Sequence, residues 1–298
     1  MDLDRDNLLR TAFDAYLLQL NEEKQEPEEN YLPYEADDID ICQWQSLGEE
    51  MVRDELREVI NNLNHWHGSL RRWQAWNAVI KGYGTDEAWE LRREFLEARA
   101  HHCLLMPSSI RDTLTFVATN SMHQVRLIIS SGYRDYLDGD PKDSTERPRI
   151  LTRRQKEKRL ADLISIWPEA AEFMASLRKI DDQAYRNLTS DYRNRNTHSI
   201  GPRLGIGMTQ AVVRSVEQTT ELSRQPDGKY LLTPVPGKVS VCYGFGGTEP
   251  LDMEMARAAN LDQYRRARKC YTQYRGLLTV GIASMPRKRT ENIFAPDA

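Results

Sequence analysis

The chain of 298 residues is long enough for one large domain or two ordinary ones. With 40% hydrophobic and 29% charged residues it has the composition of a globular protein, which excludes a disordered chain. The longest apolar runs, such as residues 127–129, are far too short to cross a bilayer, which argues against a membrane protein.

The net charge of −4 is unevenly divided along the chain. Residues 1–60 carry 18 acidic and 5 basic side chains, whereas residues 61–298 carry 27 acidic and 36 basic ones. A basic body favours a polyanionic partner such as RNA, but an ordinary solvated helix surface has the same composition. The acidic segment either binds a partner or covers the basic surface.

The cysteines and the first residues bear on location and on metal binding. The four cysteines are scattered without a CxxC pair, so we expect buried free thiols and neither a disulfide framework nor a zinc site. The sequence opens with Asp2, Asp4 and Asp6, where a secretory signal needs basic residues, and this predicts a cytoplasmic location. His65 and His67 have no further ligand at a recognisable spacing, so we expect no metal and no cofactor.

Residues 1–105 are predicted to form a helical region that contains an acidic linker. Ser46 and Glu49 have the spacing of a capping box, which indicates that a helix starts between them. In chain order, apolar periodicity predicts a helix over about residues 8–20, a linker over 22–40, a helix after Ser46 that reaches about Leu63, and helices around 69–81 and 86–105.

Residues 106–298 are predicted to form a helical bundle, so the fold class is all-α with a small β-hairpin insertion near the C-terminus. The hairpin is expected at about residues 229–245, where short apolar runs are separated by Pro234, Pro236 and Gly237. The other predicted elements are a helix from Pro107 to about Leu137, an exposed loop over 138–149, a helix capped by Thr152 and Gln155, an apolar stripe from Phe173 to Leu188, a helix over 203–223 and a last helix over about 251–283.

The last predicted helix carries several tyrosines on one side and arginines largely elsewhere. This pattern is compatible with an RNA-facing surface that stacks on bases, but it is more often that of core tyrosines beside a solvated basic face. We therefore expect core tyrosines.

The densest group of chemically useful side chains is residues 192–198, Tyr-Arg-Asn-Arg-Asn-Thr-His. The apolar stripe extended from Leu188 places Tyr192 on a buried face and predicts that the helix ends just after Asn194. Because Gly201-Pro202 interrupts any continuation, we expect His198 to fold back beside Arg193.

An arginine and a histidine held together suit phosphodiester transfer without a metal ion. An imidazole titrates near neutral pH and can take a proton from a ribose 2′-hydroxyl, or give one to the leaving 5′-oxygen. A guanidinium offers two parallel donors to the charged phosphorane. The substrate of such a site is RNA, because the 2′-hydroxyl is the nucleophile, and the product is a 2′,3′-cyclic phosphate.

This segment resembles the motif of the HEPN (higher eukaryotes and prokaryotes nucleotide-binding) superfamily, in which an arginine and a polar residue precede a histidine by a few positions. The resemblance implies a helical bundle, metal-independent endoribonuclease activity and a homodimer in which two motifs form one cleft. Many relatives act as toxins or antiviral effectors, so it also implies a possible antitoxin or defence-system partner. The candidate catalytic residues are Arg193, Asn194 and His198, and the candidate substrate-binding residues are Tyr192, Arg195 and Arg186.

Two other interpretations remain open. Arg193 and His198 can be ordinary surface or capping side chains near the last carbonyls of a helix. Alternatively, the chain is a non-catalytic helical RNA-binding or scaffold subunit of a larger complex, whose basic body grips RNA and leaves it whole.

Overall fold

The computed structural model describes residues 3–22 and 26–288. The fold is mostly α with one antiparallel β-hairpin near the C-terminus, which confirms the predicted fold class. In chain order the elements are α1 Leu3–Leu20, α2 Asp37–Asp40, α3 Gly48–Ile80, α4 Thr85–Leu91, a π-helical turn Arg92–Leu96, α5 Glu97–Ile129, α6 Arg153–Ile164, α7 Ala170–Leu177, α8 Gln183–Leu188, α9 Tyr192–His198, β1 Val212–Arg224, β2 Tyr230–Phe245 and α10 Met253–Ala283.

The chain divides into two compact units. The helical unit contains the residues up to Leu188 and those from Glu254 onward, and the hairpin unit contains Thr189–Met253. The division predicted at residue 105 does not coincide with these units, because α5 runs unbroken through residues 105 and 106. Within residues 3–22 and 26–288, no helix combines the length and the apolar character that a membrane crossing requires.

The core of the helical unit lies along the long helix α3, which packs against α5 and α1. Its tryptophans Trp66, Trp73 and Trp76 are almost fully buried, and Trp76 stacks between Tyr16 of α1 and Phe95. Aromatic side chains of this size contribute much of the apolar area that a domain buries. The packing of α1 and α5 on α3 therefore follows from the continuous apolar face of α3.

Helix α3 corrects two predictions about local structure. The capping box of Ser46 and Glu49 is not formed, because Ser46 has a left-handed backbone (φ 48°) and the helix begins after Leu47. The helices predicted before and after residue 69 are one helix, since Gly68 lies inside it and is tolerated there.

Helix α5 corrects the predicted helix start at Pro107, which lies inside the helix. A proline there removes the hydrogen bond to the carbonyl four residues earlier, which is that of Cys103. In this protein the side-chain amide of Asn260 in α10 donates to that carbonyl at 2.7 Å. A tertiary hydrogen bond thus replaces the missing helical one, and the helix continues to Ile129, short of the predicted end near Leu137.

The predicted stripe from Phe173 to Leu188 is divided between two short helices. Phe173 and Leu177 in α7 are fully buried, but Leu188 at the end of α8 is 62% exposed and Tyr185 is buried in its place. A left-handed residue at Asp181 (φ 52°) separates the two helices and changes the helical phase. The capping box of Thr152 and Gln155 at the start of α6 is confirmed.

The hairpin unit corrects the predicted helix over residues 203–223, because β1 occupies Val212–Arg224. The hairpin therefore spans 212–245 with its turn at 225–229, where Gly228 has φ 84°. The register shifts after Gln218, and the extra residues in β2 include Pro236, which cannot donate a ladder hydrogen bond. The residues taken for a turn in the prediction are thus a bulge in one long strand.

Helix α10 confirms the last predicted helix and decides between the two interpretations of its surface. Its tyrosines Tyr264, Tyr271 and Tyr274 are buried. They are therefore core residues and do not form a surface on which RNA bases can stack. The arginines on its other side contact the acidic segment 26–38: Arg257 and Arg265 pair with Glu26, and Arg275 pairs with Asp38. The acidic segment therefore contacts part of the basic face of α10, while Arg265 and Lys269 remain exposed.

Candidate functional site

The segment 192–198 forms helix α9 and is entered through two left-handed residues. Ser190 and Asp191 both have φ 51°, a backbone that is uncommon for residues other than glycine and marks a position held by its surroundings. The carbonyl of Asp191 then accepts the first helical hydrogen bond, from the amide of Arg195 at 3.0 Å. The motif thus occupies the whole of a helix of 7 residues.

This placement corrects the predicted geometry. The helix does not end after Asn194 but runs to His198, so the chain does not fold back to bring His198 beside Arg193. Five residues along an α-helix turn the side chain by about 140°, whereas four turn it by about 40°. His198 therefore shares a face with Asn194, one turn away, and not directly with Arg193.

Asn194 is the residue that connects the candidate arginine to this face. Its side-chain oxygen accepts a hydrogen bond from Nη1 of Arg193 at 2.9 Å, so the guanidinium is drawn toward Asn194. Its amide nitrogen donates to both carboxylate oxygens of Asp191 at 3.1 Å. The three side chains Asp191, Asn194 and Arg193 thus form one directed chain of hydrogen bonds.

His198 and Arg193 retain free hydrogen-bonding capacity. In the part of the chain that the structure describes, the exposed imidazole of His198 has no hydrogen-bond partner and no ion-pair partner. Arg193 is half-buried and forms no ion pair with a described residue, so donors of its guanidinium remain for a ligand. These two groups therefore remain available to a ligand.

The three residues predicted to bind substrate are otherwise engaged. Tyr192 is 4% exposed, so its ring is not presented to solvent. Arg195 donates to the carbonyl of Ile200 and to the side chains of Gln210 and Thr248, the last at 2.6 Å. It thereby fixes α9 to the segments that flank the hairpin.

Arg186 belongs to the helical unit and is paired with Asp181. Its Nη2 lies 2.7 Å from Oδ2 of that carboxylate, which is 5% exposed. The repeated Tyr-Arg-Asn sequence at 185–187 therefore supports the packing of α8, where Tyr185 is buried.

Two residues support the motif through contacts that the sequence did not predict. Asp191 precedes it by one position, and a signal for its role was present, since an aspartate tolerates the left-handed backbone and can accept from a residue three positions on. Gly201 follows the motif, and a Cβ there would overlap the amide of Asn196. That amide donates to the carbonyl of Tyr192 at 3.1 Å, so the glycine lets the end of α9 close.

The other histidines have structural surroundings. His67 is buried beside Tyr31 and its Nε2 lies 2.8 Å from the carbonyl oxygen of Glu29, while burial lowers its pKa. Burial also lowers the pKa of His102, which lies against His65. Across residues 3–22 and 26–288, no three histidine, cysteine, aspartate or glutamate side chains are grouped so that they could hold a metal ion.

Comparisons of this chain with protein-family models, with curated proteins and with solved structures found no match.

Proposed function

We propose that this protein is a metal-independent endoribonuclease of the HEPN type. The observation that carries the proposal is the exposed His198 one helical turn from Asn194, whose side-chain oxygen holds the guanidinium of Arg193. An imidazole without a partner and an arginine with free donors are the two groups that cleavage through a 2′-hydroxyl requires.

The chemistry needs one proton acceptor, one proton donor and a cation for the phosphorane. The neutral imidazole of His198 takes the proton of the ribose 2′-hydroxyl, whose oxygen then attacks the adjacent phosphorus. The bond between phosphorus and the 5′-oxygen of the next nucleotide breaks, and this leaving oxygen receives a proton from a second acid. Arg193 donates two hydrogen bonds to the charged phosphoryl oxygens, and Asn194 keeps its guanidinium in place.

We further propose that the protein acts as a homodimer, in which His198 of a second copy is that acid. A surface suited to a partner is present in the hairpin unit, since a two-stranded hairpin is marginally stable alone and this one exposes apolar side chains on both faces. The exposed residues are Val212, Val216, Leu222, Tyr230, Leu231, Leu232, Val239, Val241, Tyr243 and Phe245. A strict monomer in solution at assay concentration would contradict the dimer.

The biological setting that fits this proposal is a cytoplasmic toxin of a toxin–antitoxin pair or an antiviral defence effector. An RNA-cutting activity must be restrained in the cell that makes it, so an antitoxin or another defence-system partner belongs to the proposal.

The test is cleavage of a mixed RNA substrate by the purified protein in excess EDTA. We expect wild type to cut, and Arg193→Ala and His198→Ala to lose about a hundredfold or more of the rate. His101→Ala is the matched control, because His101 is also exposed but lies in α5 of the helical unit. If wild type binds RNA and leaves it whole, the non-catalytic RNA-binding subunit replaces the ribonuclease.

A further inference from the structure

A groove lined by arginines lies in the helical unit, where the start of α6 meets the residues between α7 and α8. It has a volume of about 440 Å³, which is within the range of pockets that bind small molecules. Its lining contains five arginines and three carboxylates, and so carries a net positive charge. The arginines are Arg111, Arg153, Arg154, Arg178 and Arg186, and the acidic residues are Glu157, Asp181 and Asp182.

Each of the three carboxylates is already neutralised by an arginine. Glu157 accepts from Nε of Arg111 at 2.8 Å. Asp182 accepts from Arg266 of α10 at 2.7 Å. The acidic groups of the groove therefore leave little negative charge to oppose an anion.

The third carboxylate, Asp181, anchors the floor of the groove. It is 5% exposed and receives Nη1 of Arg153 at 2.6 Å and Nη2 of Arg186 at 2.7 Å. Its left-handed backbone is fixed by its own amide, which donates to the buried side chain of Gln263 at 2.7 Å. Two guanidinium groups are thus held in fixed positions by a rigid, buried acceptor.

Two further arginines at the groove have no partner of this kind. The exposed side chains of Arg154 and Arg178 form neither a hydrogen bond nor an ion pair with any residue that the structure describes. They come from different elements, the first turn of α6 and the end of α7, so their convergence on one groove depends on the tertiary fold. Unpaired cations that face one cavity repel each other unless an anion lies between them.

We propose that this groove binds the phosphoryl group of a phosphorylated ligand, with pyrophosphate as the simplest example. A guanidinium matches two phosphoryl oxygens with parallel N–H donors, so Arg154 and Arg178 together can bind one such group from two sides. The floor is close to neutral, because Arg153 and Arg186 pair with Asp181 and Arg153 also pairs with Asp112, so the free positive charge of the groove is that of Arg154 and Arg178. The N-terminal end of α6 adds its dipole in the same sense. This binding does not depend on the ribonuclease activity proposed above.

The test is isothermal titration of the full chain with inorganic pyrophosphate at low ionic strength. We expect saturable binding with one site per chain, and at least about tenfold weaker binding by the double variant Arg154→Ala with Arg178→Ala. Both side chains are exposed and unpaired, so the variant should fold as wild type does, which its thermal unfolding checks.

Two further double variants give the experiment its controls. Arg134→Ala with Arg147→Ala removes the same charge from exposed positions on the loop after α5, and should bind as wild type does. Arg154→Lys with Arg178→Lys keeps the charge but loses the paired donors, and should bind more weakly than wild type and more tightly than the alanine variant. Absence of saturable binding to wild type, or equal weakening in the loop and groove variants, would overturn the proposal.

Competition identifies the source of the phosphoryl group. A short RNA with a 5′-phosphate that displaces pyrophosphate better than the same RNA with a 5′-hydroxyl assigns the groove to RNA ends. Displacement by a nucleoside diphosphate but not by either RNA assigns it to a small phosphorylated molecule. The readout is binding alone, so loss of RNA cleavage leaves this result unaffected.

Discussion

The amide nitrogen of Asn194 donates to both carboxylate oxygens of Asp191, each at 3.1 Å, across the start of helix α9. This contact turns the side-chain oxygen of Asn194 toward Arg193, whose guanidinium donates to it. An arginine side chain samples many rotamers where solvent reaches it, and a fixed acceptor reduces that freedom before a substrate binds. Asp191 is therefore a positioning residue for the candidate site.

The first prediction concerns the substitution Asp191→Gly. Glycine adopts the left-handed backbone of this position without strain but removes the acceptor for Asn194. We expect kcat for RNA cleavage to fall by about tenfold to a hundredfold with little change in KM, because the arginine is misplaced in the transition state. The measurement is steady-state cleavage of a defined RNA.

The conservative variant Asp191→Asn separates positioning from folding. Asparagine also tolerates the left-handed backbone and keeps one side-chain oxygen as an acceptor. It should retain most of the activity, within about threefold of wild type. Equal activity of wild type and Asp191→Gly would show that Asp191 does not position the site.

The second prediction concerns stability in acid and the buried His67. Burial is the largest cause of its lowered pKa, and in the neutral ring Nε2 can donate to the carbonyl of Glu29 while Nδ1 remains buried without a partner. The unfolded chain binds a proton more readily than the folded one, so this group's stabilisation is complete above about pH 6.5 and declines as the pH falls below it. The free energy of unfolding in urea should therefore decrease from pH 7.5 to pH 5.

The variant His67→Gln tests whether this histidine is responsible. Glutamine can still donate to the carbonyl of Glu29 but does not titrate, so the decrease between pH 7.5 and pH 5 should be smaller than in wild type. It should not vanish, because burial also lowers the pKa of His102. The same decrease in wild type and His67→Gln would assign the acid sensitivity to other groups.

The third prediction concerns the buried Asn260, which joins three parts of the helical unit. Its amide donates to the carbonyl of Cys103 and to the hydroxyl of Tyr185, and its oxygen accepts from Nε1 of Trp66 at 2.8 Å. Asn260→Ala leaves the carbonyl of Cys103 and Nε1 of Trp66 buried without this partner, while the hydroxyl of Tyr185 keeps its contact with the carbonyl of Leu104. We expect the variant to lower the free energy of unfolding by about 3 kcal/mol or more. Urea unfolding measures the loss, and the exposed Asn187→Ala should change it by less than about 0.5 kcal/mol.

Pro107 offers a second check on the role of Asn260. In Pro107→Ala the helix regains the N–H that can donate to the carbonyl of Cys103, which is the acceptor Asn260 now serves. Asn260→Ala should therefore cost less in the Pro107→Ala background than in wild type. Equal costs in both backgrounds would mean that the Cys103 contact contributes little.

The sequence predicted the fold class and most of the helices, because their apolar residues recur at helical spacing and those faces are buried in α3 and α10. The start predicted at Pro107 was wrong for a reason that no local pattern contains. The compensating donor, Asn260, lies more than 150 residues later in the chain. Local helix-breaking rules do not include such a tertiary partner.

The prediction of a helix over residues 203–223 was wrong, because β1 lacks the buried apolar face that most strands have. Its Val212, Val216 and Leu222 are exposed, so the alternation between a buried and a solvated face that indicates a strand is weak.

The position of the candidate site in the chain was predicted from the sequence, but its geometry was not. The stripe from Leu188 gave the wrong helical phase, because Ser190 and Asp191 interrupt the helix with two left-handed residues.

The central claim is that residues of α9 cleave RNA through its 2′-hydroxyl. The most direct measurement is the chemistry of the RNA ends after incubation with the protein in EDTA, with wild type beside His198→Ala. We expect fragments with 2′,3′-cyclic phosphate and 5′-hydroxyl ends from wild type, about a hundredfold fewer or less from His198→Ala in the same time, and an uncut bond wherever a single 2′-deoxy nucleotide replaces the ribose 5′ to it. Intact RNA with wild type, or an equal yield of the same fragments from His198→Ala, would contradict the claim.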